Sequence, residues 1–161
     1  MVDLDALILS PGATLASVAT ALDVIGQAAR VEAVRSIGAS AQRRLWTLAA
    51  GAEVTLDELV PPARGGQTVR HFGRNTLPVF TRFEKRFCRA LDGSGLLWGY
   101  NDGPTRTVVG PGCFVCREAP DDARGAVVID YERVPSGRPA GWPAIRGNER
   151  GLSRFVYKGM H

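Results

Sequence analysis

The sequence predicts an α+β protein in which N-terminal helices precede an antiparallel β-meander that curls into a barrel or half-barrel. Three observations carry that expectation. Residues 1–66 hold five Arg against seven Asp and Glu, a balance of −2, whereas residues 67–161 hold thirteen Arg and two Lys against nine acids, a balance of +6. Eleven of the twelve aromatic residues follow residue 66, leaving Trp46 alone before it. Gly, Pro, Asn and Asp clusters cut the second region into short segments rich in β-branched and aromatic residues, while the first carries apolar residues at helical spacing. The expected division is a helical lead-in over 1–63 and a barrel or half-barrel over 67–161, folding as one cooperative unit.

Each helix follows from local spacing and caps. Leu4, Leu7 and Ile8 repeat at helical steps until Pro11-Gly12. Thr14 is placed to cap a helix on which Leu15, Val18, Ala19 and Leu22 form one apolar stripe. That stripe is expected to pack on the sheet or on another copy of the chain, because left exposed it would promote aggregation. Val31, Val34 and Ile37 lead to Gly38, which has the position of a left-handed C-terminal cap, and Ser40 follows as the cap of a helix carrying Ala41, Leu45 and Leu48. Thr55-Leu56-Asp57-Glu58 is a capping-box pattern ending at Pro61-Pro62, and Arg64-Gly65-Gly66 reads as a linker.

The strands are expected at about 67–74, 79–90, 95–101, 106–118, 125–134 and 153–158. Asn101-Asp102-Gly103-Pro104 and Pro120-Asp121-Asp122 mark turns, and Gly110-Pro111-Gly112 marks a bend or bulge in the fourth strand. No βαβ alternation and no glycine-rich phosphate loop is visible, and no cofactor is expected.

Composition narrows the function classes. With 161 residues, 45% hydrophobic and 22% charged, the chain is long enough to build a core without disulfide staples and is neither disordered nor collagen-like. No apolar run approaches the ~18 residues needed to span a bilayer, so no membrane partner is expected. The acidic start Met1-Val2-Asp3-Leu4-Asp5 lacks the basic region of a signal peptide, and three cysteines make an odd count, which together point to the cytoplasm. A helix-turn-helix over Arg30 to Gly51 is disfavoured, because its surrounding region is net negative and a poor partner for nucleic acid.

Several stretches resemble a group of uncharacterised bacterial proteins. They are Gly73-Arg74-Asn75-Thr76-Leu77-Pro78, Arg82-Phe83-Glu84-Lys85-Arg86-Phe87-Cys88-Arg89, Gly99-Tyr100-Asn101, Gly110-Pro111-Gly112, Val128-Ile129-Asp130-Tyr131, Gly141-Trp142-Pro143 and Gly151-Leu152-Ser153-Arg154-Phe155-Val156-Tyr157. With the N-terminal helices included, the likeness covers nearly the whole chain. It implies architecture only: a helical lead-in before a lipocalin-like sheet. Members of that group run on into further strands beyond the position of Met160-His161, so a half-barrel stands beside the closed barrel as an expectation.

Cys113-Phe114-Val115-Cys116 could join Cys88 and His71 in a zinc site, but residues three apart in a strand point to opposite faces, so no metal is expected. His71, alone, reads as structural rather than as a general base. In the segment from Phe80 to Arg89, Phe83, Lys85 and Phe87 share one face while Arg82, Glu84 and Arg86 share the other. The charged ladder reads first as a face with cross-strand ion pairs, and otherwise as the lining of a cavity with Asp130 as partner. Trp142, in the Pro- and Gly-rich stretch 135–148, is expected to staple that loop to the sheet.

Three functional readings follow. The first is a small-molecule-binding protein that holds an apolar or amphiphilic ligand with an anionic group against the concave face of the sheet. Its expected ligand-binding residues are Arg82, Arg86, Trp98, Tyr100, Asp130 and Tyr131, because hydroxyl-tipped aromatics make apolar walls and the guanidinium fork suits a carboxylate. The second is an enzyme of isomerase or lyase type on the same scaffold, with catalytic residues unassigned. The third is an interaction or assembly module, including a homo-oligomer formed through an open strand edge.

Overall fold

The computed structural model describes residues 2–76, 81–104, 106–123, 125–149 and 152–157, without the Phe155 side chain. The fold is α+β: helices gather mostly at the N-terminus, and a five-stranded antiparallel sheet forms a half-barrel. The chain divides into two compact units, one of residues 1–52 with 72–83, the other of residues 53–71 with 84–161. Among the described residues, no helix is long and apolar enough to cross a membrane.

In the first unit, α1 (Leu4–Leu9), α2 (Leu15–Asp23), α3 (Gln27–Ser36) and α4 (Ala39–Leu48) surround Leu4, Ile8, Val18, Ala33, Ile37 and Ala41. Thr14 caps α2 as expected, in a reciprocal capping box with Ser17. The stripe on α2 therefore closes on the other helices, with Val18 buried and Leu22 packed beside it, while Ala19 stays exposed. Gly38 departs from its expected role. It is the N-cap of α4 in an extended conformation, φ −76° and ψ 166°, and Ser40 lies inside the helix. The Gly38 N–H donates to both Asp5 carboxylate oxygens at 2.9 and 3.1 Å, and that carboxylate occupies the space a side chain would need.

In the second unit, the capping box of Thr55 and Glu58 opens α5 (Leu56–Leu59), and a 3-10 turn follows at Pro62–Arg64. The strands are β1 (Val69–Arg74), β2 (Arg82–Arg89), β3 (Leu97–Asn101), β4 (Phe114–Glu118) and β5 (Val127–Asp130), paired in sequence order as a meander; the outer parts of β1 and β2 belong to the first unit. Register sets two faces. Pairs Lys85–Asn101, Phe87–Gly99, Gly99–Phe114 and Cys116–Ile129 lie on one, and Arg86–Tyr100, Cys88–Trp98, Trp98–Val115 and Val115–Asp130 on the other.

The first face carries the main core: Phe87, Leu97, Phe114, Cys116 and Tyr131, joined by Leu56, Val60 and Tyr157. The second carries Cys88, Trp98, Tyr100, Cys113 and Val115 under Trp142. Trp142 is the expected staple: its indole donates to Thr68 Oγ1 at 2.7 Å and meets Tyr100 edge-on at 4.8 Å. Gly125 has φ 67° and lies against the Glu53 backbone, so it alone permits the bond from Val54 N–H to its carbonyl at 2.8 Å.

The start of one expected strand, 106–118, and the described part of another, 153–158, are helical, while Phe114–Glu118 keeps the strand form expected of it. Residues 106–109 form α6 (Arg106–Val109), because Arg106 N–H closes on Gly103 O at 3.0 Å and Gly110, at φ 98°, ends the turn. The Gly110-Pro111-Gly112 break is thus a helix-to-strand junction. Residues 153–157 form α7 (Ser153–Tyr157), which brings Ser153 and Tyr157 to one side: the hydroxyl donates to Val109 O, and the phenol stacks on Tyr131 at 5.0 Å. The expectations for 77–80 and 158 lie outside the described residues.

Candidate functional site

The charged ladder of β2 is paired along its length. Arg70 and Arg86 reach the Glu84 carboxylate at 2.9 and 2.8 Å. Arg86 continues to Asp102 at 2.9 Å, and Asp102 holds Arg106 at 3.0 Å. A chain of alternating charge therefore runs from β1 across β2 to α6. Glu84 and Asp102 are only 15% and 22% exposed, so the two carboxylates are screened less than surface acids and fix Arg86 between them. This is the ion-paired face that the alternation predicts.

The last cation of the chain stands at a cleft. Its volume is about 830 Å³, and its walls are α6, the segment 143–149 and the start of α7. Arg106 and Arg146 supply positive charge, Glu149 one negative charge, and Val109, Pro111 and Leu152 apolar surface. Asn148 shapes the wall: it is buried and donates to Cys113 O at 2.7 Å and to Tyr131 O at 2.8 Å, which ties the segment to β4 and β5. Asn148 and Glu149 also line a smaller pocket of about 360 Å³ with Tyr131, Glu132 and Arg154.

The residues expected to bind ligand do not meet at one place. Arg86 is the middle of the charge chain and acts on the cleft only through Asp102 and Arg106. Arg82 pairs instead with Glu32 at 2.8 Å, inside the helical unit. Trp98 and Tyr100 are buried beneath Trp142. Asp130 joins neither Arg82 nor Arg86; its carboxylate accepts from the N–H groups of Glu132 and Arg133 at 3.0 and 3.2 Å and pairs with Arg133 at 3.7 Å. An acid at a strand end satisfies itself on the following turn before it reaches across a sheet. Tyr131 faces the main core and also borders the smaller pocket.

Asp102, Arg106, Arg146 and Asn148 escaped the sequence reading. Asp102 and Arg106 carry one usable signal, the four-residue spacing of an ion pair across a helical turn, masked by the β-branched run Thr107-Val108-Val109. Nothing local marks Asn148.

The thiols are interior groups. Cys113 lies in the cluster under Trp142 and Cys116 in the main core, so the two face opposite ways. Burial pushes the Cys88 thiol up to about 12 and the Cys116 thiol up to about 11. Among the described residues, no group of three or more His, Cys, Asp and Glu could hold a metal ion. His71 is structural: its ring nitrogen donates to Leu59 O at 2.9 Å, and the ring meets Phe87 edge-on at 4.9 Å.

The chain matches no protein-family model, no curated protein and no solved structure.

Proposed function

We propose that this chain is a small-molecule-binding protein whose ligand carries an anionic group and lies in the cleft between α6 and residues 143–149. The observation that carries the reading is the pairing of Arg106 and Arg146 on a concavity of about 830 Å³ that also offers apolar wall. Arginine's planar fork suits a carboxylate or phosphate, and Asp102 orients Arg106 before any ligand arrives. The core-facing side of the sheet is taken up by Phe87, Leu97, Phe114 and Tyr131, which favours the cleft over the sheet face as the ligand's place. An amphiphile with an acidic head fits the mixed lining. The same reading takes the sheet as lipocalin-like and the protein as a cytoplasmic one of bacterial origin.

The test is displacement of a fluorescent fatty-acid probe by octanoate. Saturable binding to wild type, weakened at least tenfold in Arg106→Ala/Arg146→Ala, is the expected result, the loss of two charge-assisted contacts being worth about 1.5–3 kcal/mol each. Absence of saturable binding to wild type contradicts the reading.

A further inference from the structure

We propose that the ligand of the cleft is zwitterionic, an amino acid with an apolar side chain, and that Asn148 Oδ1 and Glu149 hold its ammonium group where the cleft adjoins the smaller pocket. The ammonium site rests on the reading of the cleft as an anion site and adds a cationic group to the same ligand.

Asn148 supplies the first support. It is only 7% exposed, and its amide nitrogen spends both protons in the wall, on Cys113 O at 2.7 Å and Tyr131 O at 2.8 Å. Those two carbonyls fix which way the amide points, because the oxygen cannot take the nitrogen's place against them. Among the described residues nothing donates to Asn148 Oδ1, and the oxygen is not sealed in, since Asn148 borders both cavities. A buried carbonyl oxygen held in one direction beside an opening, with no donor of its own, is a receptor for an N–H group.

Charge supplies the second. Asn148 and Glu149 are the two residues that the cavities share, and the balance changes sign across them. On the cleft side Arg106 and Arg146 stand against Glu149, whereas in the smaller pocket Glu132 and Glu149 stand against Arg154. The ladder of Arg70, Glu84, Arg86 and Asp102 is fully paired, but among the described residues Glu132, Arg146, Glu149 and Arg154 have no ion-pair partner within 4.0 Å. The Glu149 carboxylate folds back over Gly147, into the space that a side chain there would need. Opposite charges left apart on adjoining walls complement a molecule that carries both signs.

The parts of such a ligand have separate places. Its carboxylate meets Arg106 and Arg146, and its side chain lies along Val109, Pro111 and Leu152. The ammonium group has three protons, one for Asn148 Oδ1, one for the Glu149 carboxylate and one for water or Glu132. A ligand without the ammonium leaves Asn148 Oδ1 unpaired and sets its own carboxylate near Glu149 with no compensating charge, so the site discriminates against it.

Calorimetric titration of full-length wild type and Glu149→Gln with octanoate and with α-aminooctanoate tests the assignment, since the two ligands differ only by the amine. The expected result is that wild type binds α-aminooctanoate at least about tenfold more tightly than octanoate, the size of one charge-assisted hydrogen bond. In Glu149→Gln that preference should fall at least about threefold, as for the loss of an exposed ionic partner. Octanoate bound by wild type as tightly as α-aminooctanoate overturns the ammonium site and leaves the anion cleft standing. A preference undiminished in Glu149→Gln also overturns it, and no saturable binding of either ligand overturns both.

Discussion

Arg106 Nη1 sits 3.0 Å from Asp102 Oδ1, one helical turn away in sequence, so the carboxylate that ends the charged ladder also fixes a cation at the cleft wall. Its other oxygen takes Arg86 at 2.9 Å. Asp102→Asn leaves two arginines facing each other without the negative charge that bridged them. We expect a loss of about 1.5–3 kcal/mol in urea denaturation, the scale of a hydrogen bond to a charged group. Arg82→Ala is the contrast, because the Arg82–Glu32 pair is 52% and 48% exposed and solvent screens it. A change below about 1 kcal/mol is expected there. Equal losses from the two variants would show that the ladder contributes no more than a surface pair.

Gly99 lies opposite Phe114 in the register of β3 and β4, and the ring occupies the place of a side chain at 99. A Cβ would also stand 2.8 Å from the Arg86 carbonyl oxygen, which is backbone and cannot swing away. Gly99→Ala should therefore cost roughly 1–3 kcal/mol, the usual range for overpacking. A thermal melt at or above that of wild type would show that the ring relocates freely.

The three cysteines should be silent in the native state. All are buried, and the Cys88 and Cys116 thiols are raised to about 12 and about 11, leaving almost no thiolate at pH 8. Titration with a chromogenic disulfide should report no fast thiol in native protein and three per chain in urea, matching the three in the sequence. A fast native thiol at pH 8 would contradict the packing of these residues.

Lys85 makes a signed prediction for pH. Its amine is lowered from 10.5 to about 8 on folding, so between these values the unfolded chain binds more protons and stability rises with pH. The full gap corresponds to about 3 kcal/mol. Other groups facing it titrate too: Cys116 from β4, and Tyr131 and Tyr157 with raised hydroxyls, all of which oppose the trend at higher pH. The clean observable is the stability difference between wild type and Lys85→Met, measured by urea denaturation at several pH values. That difference should move in favour of wild type as pH climbs from about 8 to 10.5, and a flat difference would mean that the amine is solvated in the native state.

Sequence and structure agree where short-range rules decide the outcome. The cap at Thr14, the capping box at Thr55, the alternation along Arg82–Arg89 and the meander order all follow from spacing within a few residues. Disagreement arises where a tertiary partner sets the local form. Gly38 was legible as a boundary, but only the distant Asp5 carboxylate makes it an N-cap. Residues 106–109 and 153–157 have β-branched or aromatic composition, yet ties from Asp102 and from Ser153 to Val109 hold them as helical turns. The candidate cleft was illegible for the same reason, since its walls come from those two turns and from the 143–149 loop. Arginine as the anion-binding residue type was foreseeable from the +6 balance of residues 67–161, whereas which arginines stand at the cleft was not.

Amide chemical-shift mapping of isotope-labelled protein titrated with octanoate reads the place of the anionic ligand residue by residue. With the ligand in the cleft, saturable shifts are expected to concentrate in residues 106–111 and 143–149, to be lost in Arg106→Ala/Arg146→Ala and to be retained in Arg82→Ala. Shifts centred on Arg82, or the same saturable shifts in the double variant, would contradict it.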